Sequence, residues 1–277
     1  MRRTRIAQHV WGWIAILVTA VVFLLPFAFI VVQSVKNQHD SSALDFAWPS
    51  QFQLFSNIVT VFQARDYMLV RALINSAILT VASVTIMVLL AAMIGWVLAR
   101  RVTKFGNVMS FMVLTGLIVP PAVVPTIWVL QALHLFNTIP GLVLVESAYG
   151  MAFCILLFRA FVSTIPRELD EAAILDGAGP LRLFFQVAFP LLRSVIVTAI
   201  IIQSVAVFND FANPLYFLPG SQNATVQVTL YNFQSQYLTS YHLLFTDVVL
   251  ITIPPLIMYI FFNRKIVEGM TAGAIKG

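Results

Sequence analysis

Residues 163–190, STIPRELDEAAILDGAGPLRLFFQVAFP, separate two long apolar runs of the chain, 141–162 and 191–217. A helix that crosses a bilayer needs about 20 consecutive, mostly apolar residues, and both flanking runs meet that requirement. Further runs of this kind occupy residues 11–32, 70–98, 108–133 and 244–262. The sequence therefore predicts an all-α membrane protein with six transmembrane helices.

The composition of the chain supports this prediction. Hydrophobic residues make up 60% of the 277 residues and charged residues only 10%, whereas about a quarter of a soluble domain is charged. The 23 Phe and five Trp residues leave too little polar surface for a water-soluble globule. We expect membrane lipid to be the main surroundings of this chain.

The distribution of basic residues predicts the orientation. Of the 16 Lys and Arg residues, only Lys36, Arg65 and Arg71 lie on one side of the predicted spans. The other side, which we call the basic side, is expected to be cytoplasmic because Lys and Arg accumulate in cytoplasmic loops. Both termini would then be cytoplasmic, with the first run retained as a helix rather than cleaved as a signal peptide. Because the basic residues flank apolar runs, we expect no nucleic-acid partner.

Several chemistries are disfavoured by what the sequence lacks. Cys154 is the single cysteine, and the four histidines are too far apart for a zinc-binding pair, so we expect no metal site. No lysine follows a glycine, so the sequence lacks the Gly-Lys pair of the phosphate-binding loop of an ATPase. The apolar runs carry no Ser/His/Asp constellation, so we expect no catalytic residues. A membrane-embedded enzyme is the remote alternative.

Residues 163–190 themselves read as a helix, a turn and a second helix. Ser163 or Thr164 can cap the first helix, which should stop near Gly177, and Asp176 can cap the helix that Pro180 opens. Small residues beside acids suit close docking of a partner, although an ordinary amphipathic loop explains them equally well.

The spacing within this segment resembles a known signature. Glu171-Ala172-Ala173, then Gly177 after three residues and Val187-Ala188-Phe189-Pro190 after nine more, is similar to the EAA motif of ATP-binding-cassette (ABC) importer permeases. The family pattern is Glu-Ala-Ala-x3-Gly-x9-Ile-x-Leu-Pro, from which Val187 and Phe189 depart conservatively.

Other segments extend the resemblance along the whole chain. Pro49–Asn57 and Asn75-Ser76 resemble an outer-loop segment and the start of the core in sugar importer permeases, and Phe208–Leu215 resembles their fifth-helix pattern. That pattern often has Trp where Phe208 stands. Residues 269–277, GMTAGAIKG, resemble the tail of the second permease of maltose-type carbohydrate importers.

The resemblance implies a fold, a function and partners. The fold would be that of type I ABC importer permeases, with a first helix and outer loop over 1–69, a core over 70–263 that contains the loop 163–190, and a tail over 264–277. The chain would form half of a pathway for a sugar or oligosaccharide in a bacterial or archaeal cytoplasmic membrane. Its partners would be a second permease subunit, two ATPase subunits that bind ATP and Mg, and an extracytoplasmic solute-binding protein. An importer of the same architecture for a polyamine, phosphate or amino acid is the closer alternative.

The resemblance also implies roles for particular residues. Coupling to the ATPase would fall to Glu171, Ala172, Ala173, Asp176 and Gly177, and a second ATPase contact to Thr271, Gly273 and Lys276 of the tail. Contacts with the solute pathway or the binding protein would come from Phe208, Asn209, Asp210 and Phe211. From the residues alone, Glu146, Asp210 and Asp247 lie near the predicted outer helix ends, where capping, interhelical hydrogen bonds and contact with the binding protein are together favoured over solute binding.

Overall fold

The computed structural model describes residues 2–101, 103–234 and 239–274, and the side chains of residues 12–262 within these ranges. The α-helices in chain order are α1 (Arg2–Ser34), α2 (Gln38–Ser41), α3 (Leu54–Arg100), α4 (Lys104–Ile118), α5 (Val123–Ala132), α6 (Ile139–Val162), α7 (Glu168–Leu175), α8 (Pro180–Leu183), α9 (Phe189–Leu191), α10 (Arg193–Phe208), α11 (Ala212–Phe217), α12 (Val226–Thr229) and α13 (Tyr241–Ala274). A π-helical turn (Phe184–Ala188) joins α8 to α9, and a 3-10 turn (Leu230–Phe233) follows α12. The described part of the chain contains no β-strand.

Long apolar helices agree with most of the predicted spans. Four helical stretches are long and apolar enough to cross a membrane: Gly12–Ser34, Leu54–Arg100, Ile139–Val162 and Tyr241–Phe262. Two bent pairs of helices also pass this test, so the described residues hold up to six spans. The predicted all-α membrane fold is confirmed at this level.

The third predicted span, 108–133, is not one straight helix. It consists of α4 and α5, which meet at an angle of 114° across a short break. The break contains Pro120 and Pro121, and two prolines in succession remove the backbone N–H groups that would continue the helix. The prolines therefore divide this span rather than merely kinking it.

The fifth predicted span, 191–217, is also divided. A bend of 76° at Leu192 separates the stretch Pro180–Leu191 from α10, and α10 ends at Phe208. Its 16 residues measure about 24 Å along the axis, less than the roughly 30 Å of a bilayer core. Residues 209–211 interrupt the helix, so Pro214 lies in the separate helix α11 and does not kink α10.

The chain divides into two compact units, and the larger comprises 71–228 and 254–277. Its core surrounds α6, which contacts α4, α10 and α11 and buries Phe158 completely. Helix α3 approaches closely because Gly95 lacks a side chain: a Cβ there would lie 2.8 Å from Cβ of Phe158. Small residues at such contacts let membrane helices pack backbone to backbone.

The smaller unit comprises 1–70 and 229–253. Its connection between α1 and α3 is stabilised by Lys36, whose buried ammonium group donates to the Asp45 carboxylate and to the Asp45 carbonyl, both at 2.8 Å. Asn57 donates 2.9 Å bonds to the carbonyls of Ser34 and Lys36. The first part of α3, from Leu54, ends at residues 64–67, where the backbone is not helical.

The last helix is longer than the apolar run predicted. The predicted span ends at residue 262, but the backbone of α13 remains helical through Ala274, into the segment predicted to be a tail. Side chains beyond Phe262 lie outside the description, as does Lys276 altogether. The expected ATPase contact of Thr271, Gly273 and Lys276 thus remains a prediction.

Candidate functional site: the segment 163–179

The segment that carries the Glu-Ala-Ala motif begins differently from the prediction. The Ser163 and Thr164 hydroxyls donate back to the carbonyls of Ala160 and Phe161, at 2.6 and 2.8 Å. They therefore close the end of α6 and do not cap the next helix, as we had expected. Helix α7 starts at Glu168, and its N-cap, Arg167, makes no side-chain capping bond.

Helix α7 ends near Gly177, as predicted, but Asp176 does not have the capping role that we expected. Gly177 has φ +80°, the left-handed conformation that glycine adopts without strain. Its N–H donates to the Ile174 carbonyl at 3.0 Å, and that of Ala178 to the Ala173 carbonyl at 2.9 Å. Asp176 is the C-cap of α7 rather than the N-cap of α8, a position that Gly179 occupies ahead of Pro180.

An ion pair that the sequence analysis missed anchors the segment. Nε of Arg100, the last residue of α3, lies 2.5 Å from Oδ2 of Asp170, and both side chains are about nine-tenths buried. The same guanidinium donates to the carbonyls of Ile165 at 3.0 Å and Pro166 at 3.4 Å. Arg100 therefore fixes both the approach to α7 and α7 itself. A basic residue at the end of α3 was visible in the sequence, but its partner depends on which α7 residue turns inward.

The residues predicted to couple to the ATPase lie on the opposite, accessible part of this segment. Glu171, Ala172, Asp176 and Gly177 are exposed and Ala173 is half-buried. Nothing lies within 4 Å of the place where a Cβ of Gly177 would stand. The structure thus brings the five predicted coupling residues together on one short helix and its turn.

Large apolar side chains are exposed beside them. Leu175 is 88% exposed, Leu181 65% and Ile174 58%. The segment is thus anchored by a buried ion pair and exposes leucines and small residues, and exposed apolar patches of this kind mark contacts with proteins, membranes or ligands. We call residues 168–181 the docking segment.

The four residues predicted to contact the solute pathway lie at the end of α10. Phe208 is buried, Asn209 is exposed, and Asp210 and Phe211 are half-buried. Oδ1 of Asp210 accepts from the backbone N–H groups of Ala212 at 2.9 Å and Asn213 at 3.3 Å, so Asp210 caps α11. A bond to the start of a helix is one of the roles expected of Asp210, and the predicted contact with the solute pathway or the binding protein stays a prediction.

A second polar contact joins this region to α6. Nδ2 of Asn213 donates to Oε1 of the buried Glu146 at 3.1 Å, and Nε2 of Gln227 donates to Oδ1 of Asn209 at 3.3 Å. In the other unit, Oδ2 of the buried Asp247 accepts from the Thr229 hydroxyl at 2.9 Å. These acids therefore make interhelical bonds, as expected, and Asn213 and Gln227 are partners that the sequence analysis did not identify.

No group of three or more His, Cys, Asp or Glu side chains with metal-binding geometry occurs in the described residues.

Residues 87–270 match the family model of the binding-protein-dependent transport system inner membrane component. The chain belongs to this family. The match includes the whole docking segment and the end of α10, so the resemblance seen in the Glu-Ala-Ala motif is confirmed.

Relatives within the family are similar along nearly their full length. The melibiose/raffinose/stachyose import permease protein MelC of Bacillus subtilis (strain 168) is 27% identical over 94% of either chain. The diacetylchitobiose uptake system permease protein NgcG of Streptomyces coelicolor is 28% identical over 93% of this chain and 85% of its own. The multiple sugar-binding transport system permease protein MsmG of Streptococcus mutans is 27% identical over both complete chains.

Solved structures confirm the fold. A chain of a bacterial ABC transporter involved in the import of the acidic polysaccharide alginate superposes with a TM-score of 0.82 over 95% of this chain and 98% of its own. The two sequences are 18% identical. This family member therefore has the fold of an ABC importer permease.

Proposed function

We propose that this chain is the permease subunit of an ATP-driven, binding-protein-dependent importer, and that it forms half of the transmembrane pathway for a sugar or oligosaccharide. The family match and the transport functions named for the relatives support this assignment. A second permease subunit, two ATPase subunits and an extracytoplasmic solute-binding protein complete the machine.

The observation that carries the proposal is the anchored docking segment. Glu171, Ala172 and Gly177 are accessible on α7 and its turn, while Asp170 on the same helix is held by Arg100. When a partner bound to the exposed residues moves, the ion pair therefore transmits that displacement to α3. The basic side, on which this segment lies, is cytoplasmic in our proposal, so the partner is the ATPase.

The mechanism transmits a rigid-body movement. When ATP closes the ATPase pair, the docking segment moves with it, and Arg100 passes the displacement to α3. Small side chains at the contact permit a close fit, and the Glu171 carboxylate offers a charge-assisted hydrogen bond to an Arg or Lys of the partner. The bends between α4 and α5 and at Leu192 divide the span helices into short rods. Such rods can change packing without breaking internal hydrogen bonds.

The tail supplies a second ATPase contact in this proposal. Residues 264–277 resemble the tail of carbohydrate permeases, and the backbone of α13 continues as a helix to Ala274. Deletion of residues 270–277 should reduce uptake or ATPase association while membrane insertion is retained. Normal uptake in that truncation would contradict the tail contact and leave the docking segment unaffected.

The solute is tested by uptake in cells that lack the native gene. Cells that carry the wild-type chain with its partners should accumulate an oligosaccharide from a panel of mono- and oligosaccharides, and Glu171→Lys should abolish accumulation although the variant is inserted. If the cells took up a polyamine, phosphate or an amino acid but no sugar, the carbohydrate assignment would be wrong and the alternative solute class would be correct.

A further inference from the structure

An apolar cavity of about 500 Å³ lies between the end of α3 and the start of α4. Its walls are Met93, Ile94 and Val97 on α3 and Phe105 and Met109 on α4. The last residue of α3 is Arg100 and the first of α4 is Lys104, so the cavity lies beside the point where the chain passes from one helix to the other. Its volume lies in the range of pockets that hold a small molecule.

One charged residue lines this cavity. Arg101 is exposed, and its guanidinium group makes no hydrogen bond or ion pair with any residue that the structure describes. Arg101 directly follows Arg100, the last residue of α3, and it lies on the basic side, where Lys and Arg flank membrane helices near the lipid headgroups. Met93 lies eight residues earlier, about 12 Å deeper along the helix. The cavity therefore has a cationic mouth at headgroup depth and an apolar interior that extends toward the bilayer core.

This combination matches one kind of occupant. Side chains that remain apolar for about 12 Å suit an acyl chain, whereas a guanidinium group at the mouth suits a phosphate, because arginine makes bidentate, charge-assisted bonds to phosphate oxygens. The adjacent Lys104 is also exposed and adds positive charge at the same depth. Basic residues at a membrane surface attract anionic lipids. We propose that this cavity binds an anionic phospholipid, with its phosphate on Arg101 and one acyl chain between α3 and α4.

The position of the cavity gives the lipid a route to the transport machinery. Arg101 follows Arg100, which holds the docking segment through Asp170. A lipid that fixes the connection between α3 and α4 also fixes the backbone from which Arg100 extends. This consequence rests on the proposed function, whereas lipid binding itself rests only on the cavity and on membrane insertion.

The proposal is tested by native mass spectrometry of the purified transport complex titrated with phosphatidylglycerol or with phosphatidylcholine of the same acyl chains. Wild-type complex should bind phosphatidylglycerol preferentially, and Arg101→Gln should lower that preference about fivefold, since one basic residue contributes about 1 kcal/mol to such binding. Val97→Trp, which fills the cavity from an exposed position, should remove bound lipid of both kinds. Arg193→Gln is the matched control, because Arg193 is exposed at another basic-side helix end, outside the cavity.

Three results would overturn the proposal. Lipid binding at the wild-type level in both Arg101→Gln and Val97→Trp would show that the cavity holds no lipid. If Arg193→Gln lowered the preference for phosphatidylglycerol as much as Arg101→Gln does, the preference would be due to general surface charge. A photoactivatable group attached at Val97→Cys should crosslink to lipid. Crosslinking to the second permease or an ATPase subunit instead would make the cavity a subunit interface. None of these measurements depends on which solute is imported.

Discussion

At the scale of single residues, the ion pair between Arg100 and Asp170 is the contact on which the docking segment depends. Its side chains are largely buried, and loss of one partner of a buried pair leaves the other charge without compensation, at a cost of roughly 3 kcal/mol. In Asp170→Asn, the detached state of the segment should therefore be populated about a hundredfold more. We predict that the rate at which a protease cleaves the segment rises by the same factor. Limited proteolysis of residues 163–190 in the purified complex measures this rate.

A neighbouring acid provides the control for this prediction. Glu168 belongs to the same first turn of α7 but is exposed, so Glu168→Gln should leave the cleavage rate within about twofold of wild type, because exposed charges contribute little. The exchanged pair, Arg100→Asp with Asp170→Arg, should recover part of the protection. Equal cleavage of Asp170→Asn and Glu168→Gln would refute the anchoring role.

Two glycines of the docking segment allow a matched test of backbone conformation. Gly177 has φ +80°, whereas Gly179 has φ −70°, and neither position has an atom within 4 Å of an added Cβ. Space therefore does not distinguish them, and only the left-handed backbone at Gly177 opposes a side chain. We predict that Gly177→Ala costs about 1 kcal/mol and lowers uptake, and that Gly179→Ala leaves uptake unchanged. Equal uptake by the two variants in the same cells would show that the turn does not need glycine.

The role of a single residue was predictable where its interaction partners lie close to it in the sequence. The stop at Gly177 follows from neighbours in the chain and was predictable. The cap assigned to Ser163 or Thr164 was wrong because their hydroxyls reach back to α6, where carbonyls at the helix end lack partners. The partner of Arg100 lies 70 residues away and has no sequence signature.

At the scale of elements, the connection between α1 and α3 should lose stability in acid. The hydrogen bond from the Lys36 ammonium holds the pKa of Asp45 below its ordinary value, and the hydroxyl and N–H of Ser50 do the same for the pKa of Asp40. A carboxyl whose pKa is lowered by folding stabilises the fold above its ordinary pKa of about 4 and loses that effect as pH falls through the lowered value. We therefore predict that backbone amides of residues 37–50 are protected from hydrogen exchange at pH 5–7 and lose protection below about pH 4.

The variant Asp45→Asn tests the origin of this response. It cannot ionise, so residues 37–50 should be less protected at pH 6 and should change less between pH 6 and pH 3.5. Hydrogen-exchange mass spectrometry, corrected for the intrinsic rate at each pH, gives both values. An unaltered pH response in Asp45→Asn would exclude the pair with Lys36 as its source.

The cap of α11 gives another test at this scale. Asp210 accepts two N–H groups at the start of that helix, and replacement of a capping side chain by alanine costs about 1 kcal/mol. We predict that Asp210→Ala lowers uptake, that Asp210→Ser retains more of it, and that both variants insert normally. Greater uptake by the alanine than by the serine variant would argue that the carboxylate does not act as a cap.

Helices were predictable where hydrophobicity determines their position. Breaks and bends were not predictable where packing determines the direction of the backbone. Apolar runs located α1, α6 and most of α13, because a membrane helix needs little besides length and apolar side chains. Hydropathy does not report backbone direction, so it missed the 114° bend after Ile118 and the end of α10 at Phe208. The prolines marked the first break, but nothing in the Asn209-Asp210 pair distinguishes a break from a continued helix.

At the scale of the whole molecule, the composition and one spaced motif were sufficient for the fold and the family. The residue spacing around Glu171 and Gly177 identified a segment that the structure presents on an anchored helix. The cavity beside Arg101 was not predictable, because it depends on how α3 and α4 pack and the apolar residues that line it have no distinctive sequence pattern.

The central claim is that ATP closure drives solute import through the docking segment, and uptake by proteoliposomes tests it most directly. Complexes with wild-type chain, Glu171→Lys or Glu168→Gln are reconstituted with ATP inside and the loaded solute-binding protein outside. We predict that wild type and Glu168→Gln accumulate labelled oligosaccharide only when ATP is present, and that Glu171→Lys, although assembled in the membrane, does not. Accumulation without ATP, or wild-type accumulation by Glu171→Lys, would contradict the account.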